Sequence, residues 1–203
     1  MARRNVVVGL DIGTTKVVAL AGEVASNGKV DIIGFGEAPS NGLRKGAIVN
    51  VDEIVRSIDL AIEKAERMIG FQITGVYAGI SGANISSLNN RGVVAVTGND
   101  REINSEDVQR VLQSARMVLV PPERKILHVL PRQFVVDGYD GIRNPVGMIG
   151  VRLEVEAHII SASNTYLKNI VKCIQRNQLK LYDLVVSPLA AAEASLLPRE
   201  KEL

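Results

Sequence analysis

Val6-Val7-Val8-Gly9-Leu10-Asp11-Ile12-Gly13-Thr14-Thr15-Lys16-Val17-Val18-Ala19-Leu20 is the stretch on which the fold turns. Two short, β-branched apolar runs flank a polar turn, and each run reads as a strand. Gly13 has no Cβ and has access to φ > 0, so a phosphate can come close to the backbone. Successive N–H groups of such a turn form an anion-binding concavity. Thr14 and Thr15 add hydroxyl donors, and Lys16 adds a positive charge. Asp11 falls at the end of what reads as a buried strand, where a lone carboxylate is costly unless paired or facing a metal. A hydrated Mg²⁺ bound to phosphate suits it. The competing reading is an ordinary β-hairpin with a polar tip. The spacing is not that of a Walker loop. It is not a Rossmann fingerprint either, because a strand follows the turn where a helix is required.

Working outward, the turn Ser26-Asn27-Gly28 leads into a third strand over 29–36, so the first three strands form an antiparallel meander. Residues 41–46 read as a basic, Gly-containing loop. Asn41 to Lys45 is a candidate contact for nucleotide or a polymer neighbour, with an ordinary loop as the simpler reading. Asn50 opens a helix whose Ile54, Ile58, Ala61, Ile62, Ala65 and Ile69 share one face. Glu63 and Arg67 are spaced to pair on the outer face, and Gly70 stops the helix. A fourth strand, 73–80, ends in Ser81-Gly82.

The character changes over 84–162. Residues 85–88 and 93–97 are strand-like. Asn104 caps a short helix with Val108, Val111, Leu112 and Ala115 on one face. Residues 126–136 read as a strand in which Pro131 marks an edge or a bulge. A loop follows over 137–150. Residues 151–159 alternate, with Val151, Leu153, Val155, Ala157 and Ile159 inward and Arg152, Glu154, Glu156 and His158 on a wet face. The segment reads β-α-β-β. A helix from Ser163 or Asn164, a strand over 181–186 and a small-residue helix over 189–197 complete the order.

Composition bounds the function. The chain has 203 residues, 46% apolar and 23% charged, enough for a real core in one or two domains. With a net charge of +2 and 3% aromatics, it lacks the basic, aromatic-interleaved stripe of a nucleic-acid binder. Cys173 is the sole cysteine, which excludes an internal disulfide and a cysteine metal cage. Arg3 and Arg4 precede an apolar run that Asp11 ends too early for a signal core. His128, His158 and the Glu154/Glu156 pair read as strand-face residues, not as acid/base machinery. Cys173 reads as a buried, inert thiol.

Meander, phosphate turn, helix, strand, insertion, helix, strand, helix is the order of the first half of the actin-like ATPase fold. Several stretches narrow it: Gly9–Lys16, Asn41–Gly46, Ile80-Ser81-Gly82, Ile126–Pro131, Asn144–Glu154 and Ser187–Ala194. Together they resemble the FtsA family of bacterial cell-division proteins, over essentially the whole chain. The resemblance implies an α/β, actin-like (ribonuclease H-like) subdomain 1A at 1–83 and 163–203. It also implies an inserted small α+β subdomain 1C, β-α-β-β, at 84–162. The chain is then expected to be about half of a longer protein. The rest would carry a second phosphate turn, the adenosine site, the site for the FtsZ tail and a membrane-targeting amphipathic helix.

By the same resemblance Asp11, Gly13, Thr14, Thr15 and Lys16 bind the phosphates of ATP. Asp11 acts through Mg²⁺-bound water, and hydrolysis is weak at most. The implied role is an actin-like scaffold that forms filaments at the cytoplasmic face of the membrane at the division site. It would tether FtsZ and recruit later division proteins such as FtsN through 84–162. The alternative is a sugar kinase of the same superfamily. That reading needs a catalytic Asp and sugar-binding groups for which the Asp residues here, in turns and caps, are poor candidates.

Overall fold

The computed structural model describes residues 5–44, 46–98, 100–118, 120–197 and 199–201. The Arg3-Arg4 start, Lys45 of the basic loop, and Pro198, Glu202 and Leu203 of the charged end lie outside them. The chain divides into two units. One runs to Asn84 and resumes at Asn164; the other is Ile85–Ser163.

In the first unit, β1 (Val6–Ile12), β2 (Lys16–Val24) and β3 (Val30–Pro39) form the expected antiparallel meander. β4 (Leu43–Arg44) and β5 (Ala47–Ile48) pair as a small ribbon where a loop was expected. Gly46 turns it with φ 77°. Helix α1 (Val51–Ile69) follows. The Asn50 side chain accepts the N–H groups of Asp52 and Glu53, and Gly70 ends the helix in the left-handed region. Arg67 pairs with Glu63 one turn away, as their spacing predicts.

The chain then crosses to β6 (Gly75–Ile80), parallel to β1. After the insertion, α3 (Asn164–Arg176) crosses to β11 (Lys180–Val186), parallel to β6. The sheet order is β11-β6-β1-β2-β3. Ile54, Ile58 and Ala61 of α1, Ile170 and Ile174 of α3, and Leu10, Ile12 and Val76 of the sheet are all buried. Helix α1 rides close on β3 because Gly34 and Gly36 leave room: a Cβ on Gly36 would sit 1.8 Å from the Ala61 carbonyl oxygen. The opposite face of the sheet keeps Leu20, Phe35, Tyr77 and Tyr182 exposed. Helix α4 (Ser187–Ser195) follows β11. Its alanines were expected to allow close backbone packing, yet none of its residues is buried.

The second unit is a four-stranded sheet, β7-β10-β8-β9, with α2 (Ser105–Arg116) on one face. β7 (Ile85–Ala95) runs unbroken where two strands were expected. Asn90 and Gly92 do not interrupt it. Asn90 donates its side-chain N–H to the Ala115 carbonyl, and a Cβ on Gly92 would lie 2.3 Å from the Val111 carbonyl oxygen. The two residues form the seat of the helix.

β8 (Arg124–Val136) carries the Pro131 irregularity as a bulge: Glu156 pairs with Gln133 and Ala157 with Pro131, so Arg132 is skipped. β9 (Tyr139–Ile142) is a strand inside the expected loop, and β10 (Arg152–Ser163) returns the chain. The expected β-α-β-β is therefore β-α-β-β-β. Ile103, Val111, Ala115, Phe134, Leu153 and Val155 form this unit's core.

Candidate functional site

Alternation along β1 sends Leu10 and Ile12 into the core and Asp11 to the other face. Asp11 is therefore exposed, and the burial cost read from the sequence does not apply. The carboxylate is nevertheless engaged. Asp11 stands in register with Gly79 on β6, and Gly79 with Val185 on β11. Ser187, two residues past Val185, donates its Oγ–H to Asp11 Oδ1 at 2.6 Å. The space is closed between them: a Cβ on Gly79 would lie 2.8 Å from Asp11 Oδ1 and 2.9 Å from Ser187 Oγ.

The turn after β1 is tight. The Gly13 N–H donates to the Lys16 carbonyl at 3.0 Å, and Ser40 N–H donates to the Thr15 carbonyl at 3.0 Å. Gly13 is not in the left-handed region. Its lack of a side chain serves close approach instead, since a Cβ would sit 2.8 Å from the Lys16 carbonyl oxygen and 3.7 Å from Asp11 Oδ2. Thr14 and Thr15 are exposed. The Gly13 N–H is thus spent inside the turn, while the exposed Thr14 and Thr15 carry hydroxyls. Lys16 is drawn to Glu37 on β3, 3.0 Å away, in a pair with both side chains exposed. Such a pair is worth well under about 1 kcal/mol, so the ammonium is easily released to a stronger anion.

A cleft of about 440 Å³ opens over the sheet face beside Asp11, lined by Gly9, Asp11, Leu20, Tyr77, Gly79, Ser187 and Ala190 among others. Tyr166 of α3 donates its hydroxyl to the Ser81 carbonyl. Burial, and next the Asp11 carboxylate, push that hydroxyl's pKa up to about 12. Tyr166 thus stays a neutral donor.

The structure thus brings Asp11, Gly13, Thr14, Thr15 and Lys16 together where β1 turns into β2, in the middle of the sheet. Ser187 and Gly79 are the residues that sequence reasoning missed. A Ser-Pro pair at a strand-to-helix junction was the available signal for the first. A glycine between apolar strand residues was the signal for the second.

Of the remaining candidates, His158, Glu154 and Cys173 have defined surroundings. His158 Nδ1 lies 2.7 Å from Asn89 Oδ1 on the sheet face of the second unit. Glu154 lies on the polar face but is buried, not wet. Arg152 and Arg91 approach its two carboxylate oxygens at 3.0 and 3.1 Å, the latter as an ion pair without hydrogen-bond alignment. Cys173 is fully buried, and burial first of all raises its thiol pKa, so it is unreactive.

Known proteins resemble this chain over nearly its whole length. The family described as "SHS2 domain inserted in FTSA" matches residues 82–161. The cell division protein FtsA of Pseudomonas aeruginosa is 44% identical over 199 residues, 98% of this chain and 47% of that protein. The cell division protein FtsA of Bacillus subtilis is 44% identical over 203 residues, 100% of this chain and 46% of that protein. This chain belongs to the FtsA family. It spans about half the length of the curated relatives it matches. A solved "PilM-PilN type IV pilus biogenesis complex" covers 92% of this chain and 49% of its own, with a TM-score of 0.63 and 16% identity. That likeness is one of fold. The architecture is the actin-like one with an inserted SHS2 domain.

The FtsA-type turn has a donor set that fits a hydrated cation better than a caged one. Among the described residues no three of His, Cys, Asp and Glu stand together. Asp11 offers one carboxylate oxygen toward the Gly13 turn while Ser187 occupies the other. Mg²⁺ keeps several waters and commonly takes one or two carboxylates plus substrate phosphates. No helix among the described residues is long and apolar enough to cross a membrane.

Proposed function

We propose that this chain carries the first phosphate-binding turn and the partner-facing insertion of an actin-like cell-division protein. Asp11, Gly13, Thr14, Thr15 and Lys16 hold the terminal phosphates of ATP. The threonine amides and hydroxyls supply neutral donors, Lys16 leaves Glu37 to supply charge, and Asp11 orients water on a Mg²⁺ that offsets the phosphate charge. The observation that carries this reading is the placement of Asp11 beside the turn. Its carboxylate stands on the exposed side of the sheet with one oxygen facing a glycine that has no room for a side chain. In this reading ATP acts as an assembly ligand and hydrolysis is slow.

In this reading the second unit, Ile85–Ser163, contacts neighbouring subunits in a filament and later division proteins such as FtsN. Tethering of FtsZ and attachment to the membrane are roles of the full-length protein, since this chain spans about half the length of its curated relatives. Two features support the module. Among the described residues β8 pairs with β9 at Phe134 and Val136, near one end of the strand, so β9 covers only part of that edge. Exposed edges pair with other chains. Residues 84–162 also carry nine Lys or Arg against nine Asp or Glu, so contact depends on local shape and not on net charge.

The test is calorimetry of Mg-ATP with a full-length FtsA-family protein carrying this sequence. Asp11→Ala is expected to weaken binding about tenfold or more while the melting temperature of the nucleotide-free protein holds. Equal affinity for wild type and variant refutes the role given to Asp11.

A further inference from the structure

An aspartate cannot by itself decide which of its oxygens faces a ligand, because the terminal torsion of the side chain is broad. In this chain three adjacent strands decide it. Asp11 on β1 is flanked by Gly79 on β6, and Ser187 follows β11. The 2.6 Å contact from Ser187 Oγ to Asp11 Oδ1 falls in the range of a charge-assisted O–H···O⁻ bond. It turns Oδ2 toward the Gly13 turn, where a Cβ on Gly13 would lie 3.7 Å away.

Ser187 is itself held in place. It is fixed from below by the parallel pairing of β11 with β6 and from above by Pro188 in the first turn of α4. Helix α4 has no side-chain cap and no buried residue. Its first-turn dipole and its serine therefore both bear on the Asp11 carboxylate.

We propose that Ser187 is a positioning residue for Asp11, and that Gly79 is required to let it reach. The inference rests on the phosphate-site reading above. Ser187 fixes the rotation of the carboxylate so that one oxygen is always presented toward the cation that accompanies the phosphates. Through the same bond, the state of the carboxylate is transmitted to the start of α4. A methyl group at position 79 would occupy the space of the bond, 2.8 Å from one partner and 2.9 Å from the other. Gly79→Ala and Ser187→Ala therefore damage one and the same contact from two sides.

The experiment uses a full-length FtsA-family protein carrying this sequence, with ATP as the probe titrated by Mg²⁺ and, separately, ATP in EDTA. Ser187→Ala is expected to raise the Mg²⁺ concentration at half-saturation about tenfold, and Ser187→Thr to restore it. Gly79→Ala should raise it similarly. The double variant should be no worse than the more impaired single one, because contacting residues are not additive. A merely structural role would instead weaken binding equally in Mg²⁺ and in EDTA. In nucleotide-free protein, Ser187→Ala should speed hydrogen exchange of the α4 amides.

A wild-type Mg²⁺ midpoint in Ser187→Ala, together with a weakened Asp11→Ala, overturns this inference and leaves the phosphate site standing. Wild-type Mg-ATP affinity in Asp11→Ala overturns both. Loss in Ser187→Ala that Ser187→Thr fails to restore also overturns it.

Discussion

Gly36→Ala tests the packing that positions the whole first unit. The added Cβ would meet the Ala61 carbonyl oxygen at 1.8 Å, the Ala65 nitrogen at 2.8 Å and the Ala61 carbonyl carbon at 2.9 Å. All three obstacles are backbone atoms of α1, so no side-chain rotation relieves them. Restoring even a 3.0 Å approach requires α1 to withdraw by 3.0 minus 1.8, or 1.2 Å. A radial gap of about 0.5–1 Å already forfeits a quarter to a half of each dispersion contact. The withdrawal would be felt by Ile54, Ile58, Ala61, Ile62 and Ala65, all buried against the sheet.

The expected cost is about 3 kcal/mol, the upper end of ordinary overpacking. At about 2–4 °C per kcal/mol for a chain of this size, the melting temperature should fall by roughly 6–12 °C. Gly9→Ala is the control. Nothing lies within 4 Å of a Cβ there. Its effect should stay within about 1 kcal/mol and favour stability through the unfolded chain. Thermal melts followed by circular dichroism, with hydrogen exchange at the α1 amides, measure both. A Gly36→Ala variant melting within about 2 °C of wild type refutes the close-approach argument.

Three further outcomes are expected. Asp107 is buried, which alone would raise its pKa, but bonds from Arg110 and from the Asn104 N–H outweigh this and hold it below the ordinary value. Its contribution to the second unit is therefore fully present above about pH 4, the unfolded value, and fades as pH falls through the lower folded value. Asp107→Asn should flatten that acid limb, and superimposable acid melts would refute the assignment. The isolated 203-residue chain should bind Mg-ATP too weakly for calorimetry, since half the contacts leave little surplus over the entropy of association; micromolar affinity would contradict this. Replacing 85–163 by a short Gly-Ser linker should leave the first unit folded, because Ile85 and Ala162 are paired neighbours on adjacent strands and the cut ends are close. In the full-length protein the same deletion should abolish recruitment of later division proteins, and retained recruitment would refute the module reading.

The sequence was most legible where one physical signal acted alone. The meander, the α1 face and the Asn104 cap follow from periodicity and side-chain capping. Asp107, at the third helical position, completes a capping box with Asn104. Reading failed where a residue served a neighbour distant in sequence. Asn90 and Gly92 look like strand breakers until α2 is laid over them. Gly13 looks like a left-handed turn residue until the Lys16 carbonyl is found in the space of its missing side chain. β9 carries a local turn signal in the sequence. Asp137 and Gly138 both take positive φ, 48° and 92°, in a two-residue turn between Val136 and Tyr139. Asp-Gly between apolar residues is a strong hairpin signal.

The candidate site divides along the same line. Asp11, Gly13, Thr14, Thr15 and Lys16 are contiguous, so their chemistry can be read as a motif. Ser187 is 176 positions from Asp11. Only the parallel placement of β6 and β11 beside β1 brings it to the carboxylate. A parallel neighbour is reached by a crossover, so its residues are always remote in sequence. The ends of such strands are where α/β folds gather ligand-binding groups. In this chain the contiguous half of the site is a turn, and the half that aims its carboxylate is a property of the sheet.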